Sequence, residues 1–175
     1  MTDNDARFMI VPLTVADTQA YLAAVARSRN ELSKWLPWAG DSFQPGQGVA
    51  WVQSRAQAWS SGQEYSFAAK HPLTGDLLGS ASLNRIDWAN GCANLGFWTA
   101  SDAVKTGVAT TACRAVGDFA VDTLGLVRIE ILTSVHNKGA LKVARNADYN
   151  REATLKSRLR LPDGLHDAVL YARTR

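Results

Sequence analysis

No apolar run in the chain approaches the roughly 20 residues that a helix needs to cross a bilayer, which argues against a membrane span. The first residues, Met1–Arg7, are polar and include acidic side chains, unlike the basic and then apolar start of a signal peptide. Cysteine is scarce. Cys92 and Cys113 are too few for a disulfide framework and lack ligand spacing. His71, His136 and His166 lie far apart, with no H-x-x-x-H spacing, so no metal site is expected. Internal repeats and low-complexity segments are missing too. These absences leave a soluble globular protein, with the cytoplasm as its expected location. Its 175 residues suffice for a single domain over 1–175 with a real core.

Charge is present but uneven. The net charge is +3. Residues 142–175 carry eight Lys or Arg against four Asp or Glu, a surplus of +4, so the remainder sums to −1. A basic C-terminal stretch suits an anionic cofactor or an acidic protein partner. Nucleic acid is not expected, because no recognition motif is present and no aromatics are interleaved with the basic residues. A membrane partner is not expected either, and a homodimer stays open.

The hydrophobic periodicity predicts alternating strands and helices. Phe8–Leu13 reads as a first strand, at an edge because of Pro12. A helix capped by Thr14 or Asp17 runs to about Ser28, and Trp35–Trp38 follows. Ala39–Gly48 reads as loop, and a second helix covers about Gln47–Ser61. Ser66–Lys70 and Leu77–Asp87 are strands. Asn90-Gly91 signals a two-residue hairpin into a strand over Cys92–Trp98. A long helix ends at Gly125. Val127–Val135 is a strand, and His136-Asn137 opens a short helix to about Asn146. Tyr149–Leu161 and Leu165–Ala172 close the chain as strands joined by Pro162-Asp163-Gly164. The fold class implied is α/β, a mixed, mostly antiparallel sheet flanked by helices.

Residues 92–124 organise the rest. Cys92–Trp98 is a short apolar strand, a polar loop follows, and Val108, Ala112, Ala115, Val116, Phe119 and Ala120 recur at helical spacing. Gly107 stands at the helix entry. A helix start presents unpaired N–H groups and the positive end of the dipole, and a residue without Cβ lets an anion approach closely. The plainer reading is an ordinary strand-to-helix turn that happens to use glycine.

This segment resembles the acetyl-CoA-binding motif of the GNAT N-acetyltransferases, whose loop reads Gln/Arg-x-x-Gly-x-Gly/Ala. Here it reads Val104-Lys105-Thr106-Gly107-Val108-Ala109. Gly107 and Ala109 match, while Val104 replaces the long polar residue. Leu95-Gly96-Phe97-Trp98 and the tail from Lys142 to Arg173 are similar to the RimJ/RimL-like branch, which acetylates ribosomal-protein N-termini. The resemblance implies a GNAT-like fold, acetyl-CoA as co-substrate and no metal. It implies transfer to an amine, the N-terminal α-amine of a protein or peptide. The alternatives are a small amine such as a polyamine or antibiotic, or a catalytically weak acyl-CoA-binding protein. It assigns the oxyanion donor and cofactor arm to Phe97, Trp98 and Thr99. The pyrophosphate falls to Lys105, Thr106, Gly107, Val108, Ala109 and Thr110, with Asn137 contacting the arm. Asn137 read on its own is an N-cap.

Acetyl transfer requires a neutral amine, a polarised thioester carbonyl and a stabilised thiolate. Asn94 and Asn137 are the candidate catalytic positions. Many RimL-like chains carry Glu where Asn94 stands and Ser where Ala140 stands, and neither replacement moves a proton usefully. At pH 7.5 roughly a third of an α-amine is already neutral, against roughly 0.1% of a lysine-like amine. An α-amine acceptor therefore tolerates the losses better. Glu130 and His136 are further relay candidates, each with a structural reading beside it. Six tryptophans stand out, most of them read as packing. Trp35 and Trp38 fall in the region that lines the family's acceptor cleft and are the substrate-binding candidates.

Overall fold

Strand β1, Met9–Pro12, leads through a 3₁₀ turn at Val15–Asp17 into helix α1, Thr18–Leu32, in the computed structural model, which describes residues 7–175. The residues before Arg7, most of the stretch read against a signal peptide, lie outside the described residues. Helix α1 continues four residues beyond the expected end. Nothing in Arg29–Leu32 breaks a helix, and Leu32 is buried. Helix α2 spans Pro45–Ser60 and starts two residues early because Pro45 suits a first helical turn. Next come β2 (Tyr65–Lys70), β3 (Leu77–Asp87) and β4 (Cys92–Thr99).

The β3–β4 hairpin forms, but not with the expected two-residue loop. Asp87 pairs with Cys92, leaving Trp88–Gly91 as a four-residue connection. The Asp87 carboxylate accepts from the Asn90 backbone N–H (3.0 Å) and side-chain amide (2.7 Å), and Gly91 takes a φ of +63°. These contacts stabilise the wider turn, so Asn90-Gly91 ends the loop instead of forming all of it.

Helix α3 covers Val108–Asp118 and passes into a π-helical turn over Phe119–Thr123. Gly125, at φ +72°, stops it as expected. Strand β5 (Arg128–Ser134), helix α4 (Lys138–Asn146), β6 (Asn150–Leu161) and β7 (Gly164–Thr174) complete the chain.

The seven strands form one sheet in the order β1-β2-β3-β4-β5-β7-β6. Every pairing is antiparallel except β4 with β5. β1 lies at the edge, where Pro12 costs no ladder bond. Alternation along the strands sets two faces. Leu83, Leu95, Ile129 and Ile131 are at most 1% exposed and form one core with Val108, Ala112 and Val116 of α3. Each such Leu or Ile contributes roughly 1.5–3 kcal/mol by leaving water. Phe119 joins Trp59, Tyr65 and Phe67 with ring centroids 5.2–5.6 Å away. Trp98 faces the opposite way, where Tyr21 of α1 meets it edge-on at 5.7 Å and stacks on Trp51 of α2.

Candidate active site

β4 and β5 stay together for three rungs only: Cys92 with Arg128, Ala93 with Ile129, and Asn94 with Glu130. Beyond Asn94 the two strands part. β4 continues alongside β3, and β5 alongside β7. The Ala100 N–H donates to Leu78 O (2.8 Å), so in the antiparallel alternation the even-numbered residues of β4 bond to β3. The N–H and C=O groups of Leu95, Phe97 and Thr99 therefore point into the opening. Of the three residues expected to hold the cofactor arm, Phe97 and Thr99 thus turn their backbone groups to the opening. Trp98 does not: its backbone serves the β3 ladder and its ring packs on Tyr21.

Helix α3 begins beside this opening. Gly107 is its N-cap at φ +99°, and no side chain caps the helix. The first intrahelical bond is Thr111 N–H to Gly107 O (3.0 Å), which leaves the Val108, Ala109 and Thr110 N–H groups at an uncapped start. A Cβ at Gly107 would meet no atom within 4 Å, so the space above these donors is open. Lys105 is held at φ +66° just before them, and the Thr106 hydroxyl donates to Ala103 O (2.7 Å), closing the loop from within. The Val108 side chain is buried in the core, so only its backbone is offered. A groove of ≈ 490 Å³ runs from here between Gly107, Thr110, Thr111, Arg114, Asn146 and Asp148. Sequence reasoning missed Arg114 and Thr111. Thr111 lies one turn and Arg114 two turns into α3 on the face of Gly107 and Thr110, a helical spacing that was readable.

On the sheet face away from α3 lies a second cavity of ≈ 210 Å³, bordered by Arg85, Cys92, Asn94, Glu130, Leu132, Leu155, Arg158 and Leu170. It sits at the last paired rung, where the strands begin to part. The Asn94 side-chain amide donates to the Asn84 carbonyl (2.9 Å) across the β3–β4 rung. Neither asparagine titrates, so this pair can hold a water or an amine but cannot take its proton. Glu130 supplies the cavity's carboxylate. One oxygen accepts from Arg128 Nε (2.6 Å), and Arg128 also binds Glu152.

The other candidates lie apart. The Asn137 side chain accepts from the Ala140 N–H (3.0 Å) and caps α4, so its structural role is realised, and it borders neither cavity. His136 lies against His166 instead, ring centroids 5.4 Å apart. Trp38 meets Phe43 edge-on at 6.0 Å in the α1–α2 connection. Neither Trp38 nor Trp35 lines the groove or the cavity.

Parted parallel strands beside an uncapped, glycine-led helix, with a mixed polar and apolar cavity at the parting, give an anion seat and a pocket on the two sides of one opening. The family model described as "Acetyltransferase (GNAT) domain" matches residues 7–150, and the chain belongs to that family of acetyl-CoA-dependent N-acetyltransferases. It is 26% identical over 161 residues to YdaF of Bacillus subtilis (strain 168), whose name assigns it provisionally to the ribosomal N-acetyltransferases. That alignment spans 89% of this chain and 85% of YdaF. Among solved structures, RimL, a ribosomal L7/L12 α-N-protein acetyltransferase bound to coenzyme A, superposes with a TM-score of 0.89 at 19% identity, covering 97% and 95% of the two chains. The ribosomal-protein-S5-alanine acetyltransferase of Vibrio fischeri gives 0.88 at 16% identity, covering 96% and 93%.

Proposed function

We propose that the protein acetylates the N-terminal α-amine of a protein or peptide. The parting of β4 from β5 at the Asn94–Glu130 rung carries this reading, because it joins an anion seat on one side of the sheet to an acceptor cavity on the other. Acetyl-CoA supplies the activated acetyl group. The uncapped N–H groups of residues 108–110 fit its pyrophosphate, and Lys105 adds a positive charge beside them. The unpaired edge of Leu95, Phe97 and Thr99 fits the amide-bearing arm, with the Phe97 N–H donating to the thioester carbonyl as charge develops there. Asn94 and Asn84 hold the amine through a hydrogen bond or one water. The free oxygen of Glu130 receives its proton by that route. The Asn94 and Ala140 departures suit an acceptor already partly neutral near pH 7.5. The kinship with ribosomal N-acetyltransferases supports a protein N-terminus as acceptor.

The reading takes 1–175 as a single domain, supported by one sheet that draws strands from both ends of the described chain. It places the protein in the cytoplasm, with monomer and homodimer left to a sizing measurement. Among the described residues no helix is long and apolar enough to cross a membrane. Calorimetry with acetyl-CoA, followed by thiol release across a panel of peptides and amines, tests the proposal. Binding and turnover on peptide N-termini are expected, and no binding at millimolar cofactor overturns it. Gly107→Glu should abolish binding, because it sets a carboxylate over the anion seat and forces a side chain onto a φ of +99°.

A further inference from the structure

Two arginines enter the acceptor cavity from opposite sides, each at a break in strand pairing. On β3 the register runs regularly to Asn84 opposite Asn94, then resumes at Asp87 opposite Cys92, so Arg85 and Ile86 together face Ala93. Arg85 sits in this bulge at φ +50°, a conformation that a side-chain-bearing residue adopts at a cost. On β6 the register jumps from Leu155 opposite Ala168 to Leu159 opposite His166, so Lys156, Ser157 and Arg158 face Asp167 alone. Ser157 takes φ +48°. The Asp167 carboxylate fixes this second bulge, accepting from Lys156 Nζ (2.8 Å) and from the Ser157 N–H (2.9 Å). With Asp167 engaged by its neighbours, Arg158 is left to the cavity.

Both arginines border the same ≈ 210 Å³ space, and both are exposed. Among the described residues neither pairs with a carboxylate. Their neighbour Arg128, by contrast, is committed to Glu130 and Glu152. The cavity's one carboxylate, Glu130, is thus already matched, and two guanidinium groups remain uncompensated beside the leucines of the wall. Bulges re-aim side chains, and strained ones persist where the surroundings hold them.

We infer that Arg85 and Arg158 form a carboxylate clamp, so that the favoured acceptor carries an acidic side chain within its first residues after the α-amine. This rests on the α-amine reading above and narrows it. The amine occupies the Asn94–Glu130 end of the cavity, and the following acidic residue reaches the arginines. A guanidinium presents a planar donor fork that matches a carboxylate, and two of them at one cavity penalise a basic acceptor.

The test is kcat/KM on matched N-terminal peptides that differ only in having Asp/Glu, Ala or Lys at the second and third positions. Acidic peptides should exceed the Ala peptides by about tenfold at low salt, a size set by two exposed ion pairs, with Lys peptides lower still. The acidic-to-Ala ratio should fall towards one in Arg85→Ala/Arg158→Ala. In Arg85→Glu/Arg158→Glu it should invert in favour of Lys peptides. Both side chains are exposed, and circular dichroism with thermal melting checks that the variants fold. Peptide turnover without acidic preference, or a preference that survives the charge reversal, overturns the clamp and leaves the α-amine reading standing. Turnover confined to small amines overturns both.

Discussion

Cys92 and Cys113 are one side chain in two settings. Cys113 is fully buried in α3, and burial pushes its thiol well above the ordinary range. Cys92 borders the acceptor cavity. A thiol reagent should therefore modify one cysteine in the native protein and two after denaturation. Labelling of Cys92 should slow acetyl transfer more than it weakens cofactor binding, which mass spectrometry and calorimetry would separate. Asp17 offers a second test. Burial raises its pKa, but hydrogen bonds from Lys70 and Thr14 outweigh this, and the net shift is downward. A carboxyl with a depressed native pKa contributes stability that is complete above its unfolded value and lost as pH falls through the native one. Asp17→Asn should cost about 1–3 kcal/mol at pH 7. Its melting temperature should also decline less steeply than wild type as pH falls from 5 to 2. Asn137 shows how one residue type supports two readings: its sequence position matches a family contact, while its geometry is that of a helix cap.

At the scale of elements, the strand, loop and helix around Gly107 were legible because periodicity and glycine placement are local signals. The site's acceptor side was not, because it depends on register. A two-residue Asn90-Gly91 loop would set Asn84 opposite Phe97, whereas the four-residue loop and the Arg85 bulge set it opposite Asn94. The Asn84–Asn94 pair and the placement of Arg85 both follow from that shift, while Arg158 follows from the separate β6 bulge. Asp87 drives the β3 shift through contacts to Asn90 that no periodicity displays. Trp35 and Trp38 rest on analogy of region alone, and in the α1–α2 connection Trp38 packs on Phe43 and neither lines the groove or the cavity. Glu130 has no local signal of its place, which the pairing of β4 with β5 at Asn94 alone sets. β3 and β4 also approach closely at Gly79, where an added Cβ would lie 2.4 Å from Trp98 O. Gly79→Ala must push β4 away, since a backbone carbonyl cannot rotate aside. It should destabilise the fold by about 1–3 kcal/mol. It should also raise KM for acetyl-CoA more than KM for the acceptor, because β4 forms one wall of the opening.

At the scale of the whole molecule, the basic C-terminal stretch, residues 142–175, forms most of α4 and the β6–β7 end of the sheet. Arg151, Lys156, Arg158 and Arg160 are all exposed along β6, a long strand with an unpaired side. Such charges protect an edge from pairing with other chains, so part of the asymmetry is structural. Arg173 is taken by Asp118 (2.6 Å) and Lys156 by Asp167, which leaves Arg151, Arg158 and Arg160 on β6, with Lys142 and Arg145 exposed on α4, as the tail's positive field. That field should steer an acidic acceptor, and kcat/KM should fall as salt rises from 20 to 300 mM, because the Debye length shrinks through about 10 Å at 0.1 M. Acetyl-CoA is anionic as well, so the steering is read with cofactor saturating. The pH dependence separates acceptor classes independently of salt. With Asn94 and Ala140 unable to titrate, the acceptor's own amine should govern the profile. Its pKa of about 7.7–8.0 predicts that kcat/KM rises through about pH 8 and then flattens. A lysine-like amine, at about 10.4, would keep the rate climbing beyond pH 9. A climbing profile with no salt dependence would exclude a steered α-amine acceptor and identify a small amine instead.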